Sequence, residues 1–454
     1  MNLHDQETWI STKHRASVMW VLVITTTAIV FDGYDLVVYG TVLPVLTRDP
    51  SQLGAISPQQ AGALGSYALV GVMVGALASG AVGDYLGRRR MMLVNIIWFS
   101  AGMGLAALST SVASFGAMRF LTGIGIGGLV ATAGALIAEF APTSKKNLYN
   151  AIVYCGVPAG GVLAALIAIV LRDNIGWRGL FWIGAAPIVV LLPLAYFKLP
   201  ESPMWMLSRR NEFGAHKIAE RFGLPYPISC GPVPAEEVGA KVGFAALATR
   251  RYALTTVVLG LMSFGGLLLT NGLNTWLPQI MENKGYGATD SILFLLVLNG
   301  GAIVGGLVTS RMADRTGAQK IIPVTFGLAA LSLVMLTAGF PIPVLLAFLA
   351  VAGLGTIGTQ VLVYGLVSHS YPTSARAAGV AWCAGFGRLG GIIGPAVAGL
   401  LISIGAGPNV AFYTFAGVAV LAGLVTFAIP KENPMQLRDA SVAANAAAPS
   451  GILD

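Results

Sequence analysis

The chain has 454 residues, of which 56% are hydrophobic and only 10% are charged, with a mean hydropathy of +0.77. Soluble globular domains carry about 25% charged residues, so this composition excludes a soluble domain and indicates many membrane-spanning segments. The three cysteines have no paired spacing, which excludes a disulfide framework and a cysteine metal site.

Apolar runs long enough to cross a bilayer recur twelve times along the chain. The first set is predicted at 17–46, 61–82, 91–108, 115–137, 150–171 and 177–197, and the second at 252–277, 292–308, 321–338, 343–367, 379–404 and 410–429. We therefore predict an all-α integral membrane protein with two six-helix bundles, at 17–198 and 251–430. Its other parts are an N-terminal segment (1–16), a polar central loop (199–250) and a disordered tail (431–454).

Lysine and arginine are unevenly distributed between the two ends of these spans. With the N-terminus inside, most of the 27 basic residues fall in inner loops, and the outer loops hold Arg48, Arg172, Arg178 and Lys284. Basic loops tend to stay cytoplasmic, so we expect both termini inside a plasma (inner) membrane. Topology then explains the net charge of +8, and no nucleic-acid partner is expected.

Two carboxylates, Asp32 and Asp35, lie deep in the first predicted span. Asp32 is roughly 20 Å along that helix, within a hydrocarbon core of about 30 Å. A carboxylate at that depth costs about 2.5–3.5 kcal/mol, and this spacing puts both on one helix face. The pair predicts proton or substrate handling, with a structural ion pair as the alternative. Arg119, inside the fourth span, is the natural partner of either carboxylate, whether it couples protons or only holds the first half together.

A motif is repeated in the two halves of the sequence. Residues 80–90 (GAVGDYLGRRR) follow the second span, and a weaker copy begins at Asp314, 230 residues after Asp84. The tripeptide PTS at 142–144 recurs at 372–374, with the same offset. These matches predict two homologous halves with a substrate site between them near the membrane midplane. Within the motif, Gly87 permits a tight turn and Asp84 can accept hydrogen bonds at a helix N-terminus; the alternative is a basic loop that only sets topology.

The eleventh span contains two arginines. Arg376 is predicted to cap its inner end, and Arg388 lies about 18 Å further along, near the midplane. A guanidinium there can bind a substrate carboxylate through two hydrogen bonds, or can balance the charge of Asp32 or Asp35 across the cavity. Side chains that suit a flat aromatic anion occur in several spans: Tyr34, Tyr39, Tyr67, Phe264, Asn271, Asn274, Trp276, Tyr364, Trp382 and Phe386.

Two further elements bear on function. Residues 156–161 (GVPAGG) predict a bend with close packing, and they partly resemble a motif of antiporters, which keeps export open. Glu201, in the sequence PESP after the sixth span, is predicted to cap or pair with the inner loops. This element resembles one shared by sugar porters and organic-acid symporters.

The motif at 80–90 resembles the signature loop of the major facilitator superfamily, although Tyr85 stands where that family usually has a basic residue. With the runs 32–35 (DGYD), 119–123 (RFLTG) and 372–391, it is similar to the aromatic acid:proton symporter family over nearly the whole membrane domain. The residues that match positions of importance in that family are Asp32, Asp35, Asp84, Arg119, Glu139 and Arg388. The resemblance implies a twelve-helix major facilitator fold, no enzymatic activity, and uptake of a benzoate-like anion by a monomer.

The residue pattern and the family resemblance together predict the roles of individual residues. Proton coupling is expected of Asp32, Asp35, Arg119 and Glu139. Substrate binding is expected of Asp35, Tyr34, Asn271, Asn274, Trp276, Trp382, Phe386 and Arg388. Gating is expected of Gly80, Asp84, Gly87, Arg88, Asp314, Arg315 and Arg376. No metal or cofactor is expected beyond the proton gradient. The alternatives are a proton-driven exporter and a transporter-like sensor of aromatic acids.

Overall fold

A computed structural model describes residues 12–141, 146–222, 247–250, 252–371, 373–405 and 407–429, and these ranges are almost wholly helical. The helices of the first half and the central loop are α1 (Thr12–Arg48), α2 (Pro58–Leu86), α3 (Arg88–Ala107), α4 (Val112–Phe140), α5 (Lys146–Tyr154), α6 (Gly156–Gly184), α7 (Leu191–Lys198), α8 (Pro203–Ser208) and α9 (Glu212–Phe222). Those of the second half are α10 (Ala253–Asn283), α11 (Ala288–Thr316), α12 (Ala318–Met335), α13 (Ile342–Gly353), α14 (Thr359–Ser370), α15 (Thr373–Ser403) and α16 (Pro408–Val425).

The described residues contain eleven apolar runs long enough to cross a membrane. One of them, Leu148–Gly184, has 37 residues and contains Gly176, whose backbone is not helical, with φ +65° and ψ −179°. A residue other than glycine rarely adopts that φ, so Gly176 allows the chain to turn between two spans. The second of these spans continues from Trp177 to Lys198 through the short 3₁₀ helix Ala186–Ile188. The fold therefore has twelve membrane spans, as predicted.

The predicted central loop is helical near its start. Two short helices, α8 and α9, follow the sixth span, and the hydroxyl of Ser202 caps α8 by accepting a hydrogen bond from Trp205 N at 3.0 Å. The predicted disordered tail at 431–454, the N-terminal residues 1–11 and loop residues 223–246 lie outside the described residues.

The internal repeat is visible in the backbone. Gly87 separates α2 from α3 and Gly317 separates α11 from α12, and both have a φ of +91°. These two glycines are 230 residues apart, the offset of the repeated motif. Because only glycine adopts this φ without strain, the same residue type makes the same turn in each half.

Helices α1 and α6 touch backbone to backbone. A Cβ atom added to Gly160 would lie 1.9 Å from the carbonyl oxygen of Val30, and one added to Gly33 would lie 1.9 Å from that of Val157. Backbone atoms cannot rotate away from such a clash, so each position needs a glycine. Gly160 of the motif at 156–161 therefore has a packing role in this structure.

We expect Gly160→Ala to destabilise the protein by about 1–3 kcal/mol, because α1 and α6 must separate to admit the methyl group. The melting temperature of the purified protein in detergent measures this effect. Gly327→Ala in α12 is the matched control, since a Cβ there has no neighbour within 4 Å. Equal melting temperatures for the two variants would contradict the packing assigned to Gly160.

The two halves meet at the end of the molecule that carries Arg48. Arg48 forms an ion pair with Glu282, and Thr47 Oγ1 donates a hydrogen bond of 2.9 Å to Gln279 Oε1. Ser66 Oγ donates to the carbonyl of Ile392 at 2.6 Å, which joins α2 to α15. The charge bias predicts that this end faces outward. The structure is thus closed at the predicted outer end.

Candidate functional site

Arg119 pairs with Asp35, one of the two partners that the sequence allowed. Its Nη1 atom donates to Asp35 Oδ1 in an ion pair whose side chains are only 3% and 4% exposed. The guanidinium also lies 5.1 Å from the ring centroid of Tyr39 and 6.0 Å from that of Phe181. The carboxylate and the aromatic faces offset the cost of burying the guanidinium, so removal of either partner would leave a buried charge without compensation. The pair joins α1 to α4 and leaves Asp32 without this partner.

Asp32 and Arg388 face each other from opposite halves. Asp32 is partly exposed, in contrast to the buried Asp35, and it interacts electrostatically with Arg388. Arg388 is also partly exposed and makes neither a hydrogen bond nor an ion pair with any residue that the structure describes. A cation deep in a membrane protein normally has an anionic partner. The N–H groups of Arg388 therefore make no hydrogen bonds with the described residues. The Asp32 carboxylate lies nearby but is not in contact with them.

Two tyrosines complete this cluster. Tyr154, at the end of α5, interacts electrostatically with Asp32, Arg388 and Tyr364, and Tyr364 lies on α14. Tyr154 is 37% exposed, and its hydroxyl makes no hydrogen bond within the described chain. The sequence indicated Tyr364 as an aromatic candidate but not Tyr154. The available signal was its position just before the motif at 156–161, in a span that is otherwise almost entirely apolar.

Trp382 and Phe386 lie on a different face of α15 from Arg388. Their rings stack with centroids 5.3 Å apart, and Trp382 Nε1 donates to the carbonyl of Thr256 on α10 at 3.0 Å. Positions four apart share a helix face, whereas Arg388 is about 200° around the helix from Phe386. The aromatic pair therefore fills the contact between α10 and α15.

Four other predicted binding residues are engaged in helix contacts. Tyr34 is fully buried and donates to Leu180 O at 2.8 Å, and Trp276, 1% exposed, donates from Nε1 to Pro395 O at 2.9 Å. Asn271 and Asn274 are also buried, and each donates to a carbonyl one turn earlier in α10. Asn299, which the sequence analysis missed, donates to Asn274 Oδ1 at 2.8 Å. These contacts give the four residues a packing role in this state.

Glu139 lies at the inner end of α4, about 30 Å along the helix from Arg119. Its Oε1 atom is 3.5 Å from Arg88 Nε, so Glu139 pairs with the signature loop. This position is incompatible with direct contact to the Asp35–Arg119 pair. Glu139 therefore lies beside Arg88, a predicted gating residue, and away from the carboxylates of α1.

Glu201 caps the signature loop, as predicted. Its Oε1 atom accepts hydrogen bonds of 3.0 Å from the backbone N–H groups of Arg89 and Ser202. The carboxylate thereby satisfies a free donor at the positive end of α3. A Cβ on Gly87 would lie 2.6 Å from Glu201 Oε2, so the glycine also makes room for this cap.

The remaining gating candidates are Gly80, Asp84, Asp314, Arg315 and Arg376. Gly80 and Arg315 are exposed at the predicted inner end, and Gly80 has no atom near its Cβ position. The side chains of Asp84, Asp314 and Arg376 lie outside the described part of the structure.

Tyr85, which departs from the family pattern, stacks under Arg209 with the guanidinium carbon 5.1 Å from the ring centroid. This cation–π contact joins the signature loop to the residue that follows α8, at a position where the family usually has a charged residue.

Comparison with solved structures shows the same fold. The partially occluded inward-open conformation of the xylose transporter XylE from E. coli matches with a TM-score of 0.72 at 17% identity, over 91% of this chain and 98% of that one. An inward-open conformation of XylE from E. coli matches with a TM-score of 0.70 at 16% identity, over 93% and 99% of the two chains. At this identity the likeness concerns the fold alone.

Curated relatives match over most of their length. A gentisate transporter of Corynebacterium glutamicum is 33% identical over 399 residues, which is 87% of this chain and 84% of the relative. A benzoate transport protein of Acinetobacter baylyi is 32% identical over 426 residues, covering 91% and 90%. The 4-hydroxybenzoate transporter PcaK of Pseudomonas aeruginosa is 29% identical over 409 residues, covering 88% and 90%.

The sequence model of the Major Facilitator Superfamily matches residues 25–366 and 300–452. These matches span both six-helix halves and the motifs at 80–90 and 372–391. Together with the twelve-span fold and the charged cluster between the halves, they show that this chain belongs to the Major Facilitator Superfamily of membrane transporters and is not an enzyme.

Proposed function

We propose that the protein imports aromatic carboxylates of the benzoate and hydroxybenzoate type together with protons, by alternating access across the inner membrane. The observation that carries this proposal is Arg388, a membrane-embedded guanidinium that is partly exposed and has no hydrogen-bond or ion-pair partner among the described residues. The fork of N–H groups on an arginine matches a carboxylate in geometry and charge. The relatives named for gentisate, benzoate and 4-hydroxybenzoate support this substrate class, because all three are aromatic carboxylates.

Asp32 supplies the link between substrate and proton. An anion bound to Arg388 lies close to the Asp32 carboxylate, and two like charges in an apolar site repel each other. Protonation of Asp32 removes this repulsion and also frees Arg388 from the attraction of Asp32. The carrier therefore binds its substrate best when Asp32 holds a proton, which makes the two travel in the same direction.

Asp35 and Arg119 have a different part in the proposed cycle. Because Arg119 pairs with Asp35 inside the protein, the pair holds α1 against α4. The moving proton is therefore assigned to the partly exposed Asp32, and Asp35 has a structural role.

Alternating access requires that the closed outer end opens and the inner end closes. Opening breaks the ion pair of Arg48 with Glu282 and the hydrogen bond of Thr47 with Gln279. Closing brings the gating residues around Gly87 and Gly317 toward the opposite half. One chain contains the whole cluster of Asp32, Tyr154, Tyr364 and Arg388, so we propose that the monomer transports.

The proposal is tested by the uptake of radiolabelled benzoate and 4-hydroxybenzoate into proteoliposomes, with and without an inward proton gradient. We expect accumulation that needs the gradient and collapses when a protonophore is added. Exit of preloaded acid in exchange for protons, with no gradient-driven entry, would identify an exporter and reject the proposal. Saturable binding without movement of either acid would reject it in favour of a sensor.

A further inference from the structure

The proposed site needs a surface that binds the aromatic ring of the substrate. The expected aromatic residues Trp382 and Phe386 lie on a different face of α15 from Arg388. Trp382 and Phe386 stack on each other and fill the α10–α15 contact, and Trp276 and Tyr34 are buried with their polar atoms bonded. Tyr154, in contrast, interacts electrostatically with Asp32 and Arg388, and it also interacts with Tyr364.

The two tyrosines come from opposite halves. Tyr154 is on α5 of the first half and Tyr364 on α14 of the second. Counted along their helices, Tyr154 lies about 12 Å from the inner end at Lys146, and Tyr364 about 9 Å from the inner end at Ser370. Arg388 lies about 22 Å from the inner end of α15 at Thr373. Both tyrosines thus lie on the inner side of Arg388 along their helices.

The exposure of Tyr154 indicates a surface that meets a ligand. A tyrosine that serves only to pack helices is buried and bonds its hydroxyl, as Tyr34 and Tyr39 do in this structure. Tyr154 is 37% exposed, although it lies within the run Leu148–Gly184, and its hydroxyl is unbonded within the described ranges. The Tyr154 hydroxyl lies 3.0 Å from the position that a Cβ on Gly134 of α4 would occupy, so the glycine leaves space for the tyrosine side chain.

We propose that Tyr154 and Tyr364 form a two-sided clamp for the substrate ring, on the inner side of the carboxylate held by Arg388. This inference rests on the proposed function and names the ring-recognising side chains of that same site. One ring comes from each half, so a substrate held between them joins the two halves through stacking contacts. A planar aromatic carboxylate fits such a clamp better than its saturated analogue, because only the aromatic ring can stack.

The test is the uptake kinetics of radiolabelled benzoate in proteoliposomes made with the full chain, for Tyr154→Phe, Tyr154→Leu, Tyr364→Phe and Tyr364→Leu. We expect KM to rise about tenfold in each leucine variant with little change in the maximum rate, since loss of one stacking contact weakens binding. Each phenylalanine variant retains the ring and should stay within about threefold of the wild type. Tyr413→Leu, an exposed tyrosine on α16, is the control for the substitution itself.

Competition by cyclohexanecarboxylate provides a readout that a merely structural role would not change. The wild type should prefer benzoate over this saturated acid, and the preference should shrink about tenfold in each leucine variant. Unchanged KM and preference in both leucine variants, in a protein whose wild type accumulates benzoate, would overturn the clamp alone. Equal losses in the phenylalanine and leucine variants would also overturn it. A wild type that fails to take up benzoate would instead reject the proposed function.

Discussion

Arg388→Gln is expected to raise the KM for benzoate uptake at least thirtyfold, with the protein still folded and inserted. Removal of one member of a desolvated charge pair costs about 2–5 kcal/mol, and 1.4 kcal/mol corresponds to about tenfold in affinity. Because Arg388 has no hydrogen bond or ion pair with the described residues, its loss leaves no buried partner unsatisfied in that part of the protein. The effect should therefore appear in binding and not in stability. Initial uptake rates in proteoliposomes over a range of benzoate concentrations measure it.

Two variants sharpen this prediction. Arg388→Lys retains the charge but not the planar fork, so its KM should lie between those of the wild type and Arg388→Gln. Arg311→Gln removes an exposed positive charge from the inner end of α11 and should transport normally. A wild-type KM for Arg388→Gln would show that Arg388 only balances the charge of Asp32, the alternative left open by the sequence.

Asp32→Asn is expected to abolish accumulation driven by the proton gradient while exchange of labelled for unlabelled benzoate continues. Asparagine has nearly the same shape as aspartate but cannot take up and release a proton. It mimics the protonated state, in which the cavity has no carboxylate to repel the substrate beside Arg388. A gradient acts only through a group whose protonation favours one state over another, so the variant should equilibrate its substrate without concentrating it. Uptake and counterflow in the same proteoliposomes separate the two activities.

The control is Asp290→Asn, in the first turn of α11 and outside the cluster of Asp32, Tyr154, Tyr364 and Arg388. It should accumulate benzoate as the wild type does. Accumulation at the wild-type level by Asp32→Asn would refute the assignment of the moving proton to Asp32. Loss of both accumulation and counterflow would show that Asp32 is needed for binding or folding, contrary to the proposed division between Asp32 and Asp35.

Several features could be derived from the order of residues alone, because they depend on local chemistry. Apolar runs of spanning length predict the membrane helices, since backbone polar groups in lipid must bond within their own segment. Gly87 and Gly317 predict the two matching turns, one in each half. Each of these depends on residues that are neighbours in sequence or on a single helix terminus.

The partners of the charged groups were decided by tertiary structure. The sequence placed Arg119 opposite Asp32 or Asp35 without distinguishing them, because both share a face of α1. The choice of Asp35 depends on how α1 packs on α4. In the same way, the rotation of α15 turns Trp382 and Phe386 toward α10 and Arg388 toward the other half, and the fold brings Tyr154 to Asp32 although 122 residues separate them. Contacts between distant helices depend on crossing angle and rotation, which the packing of whole surfaces determines and which no local pattern in the chain encodes.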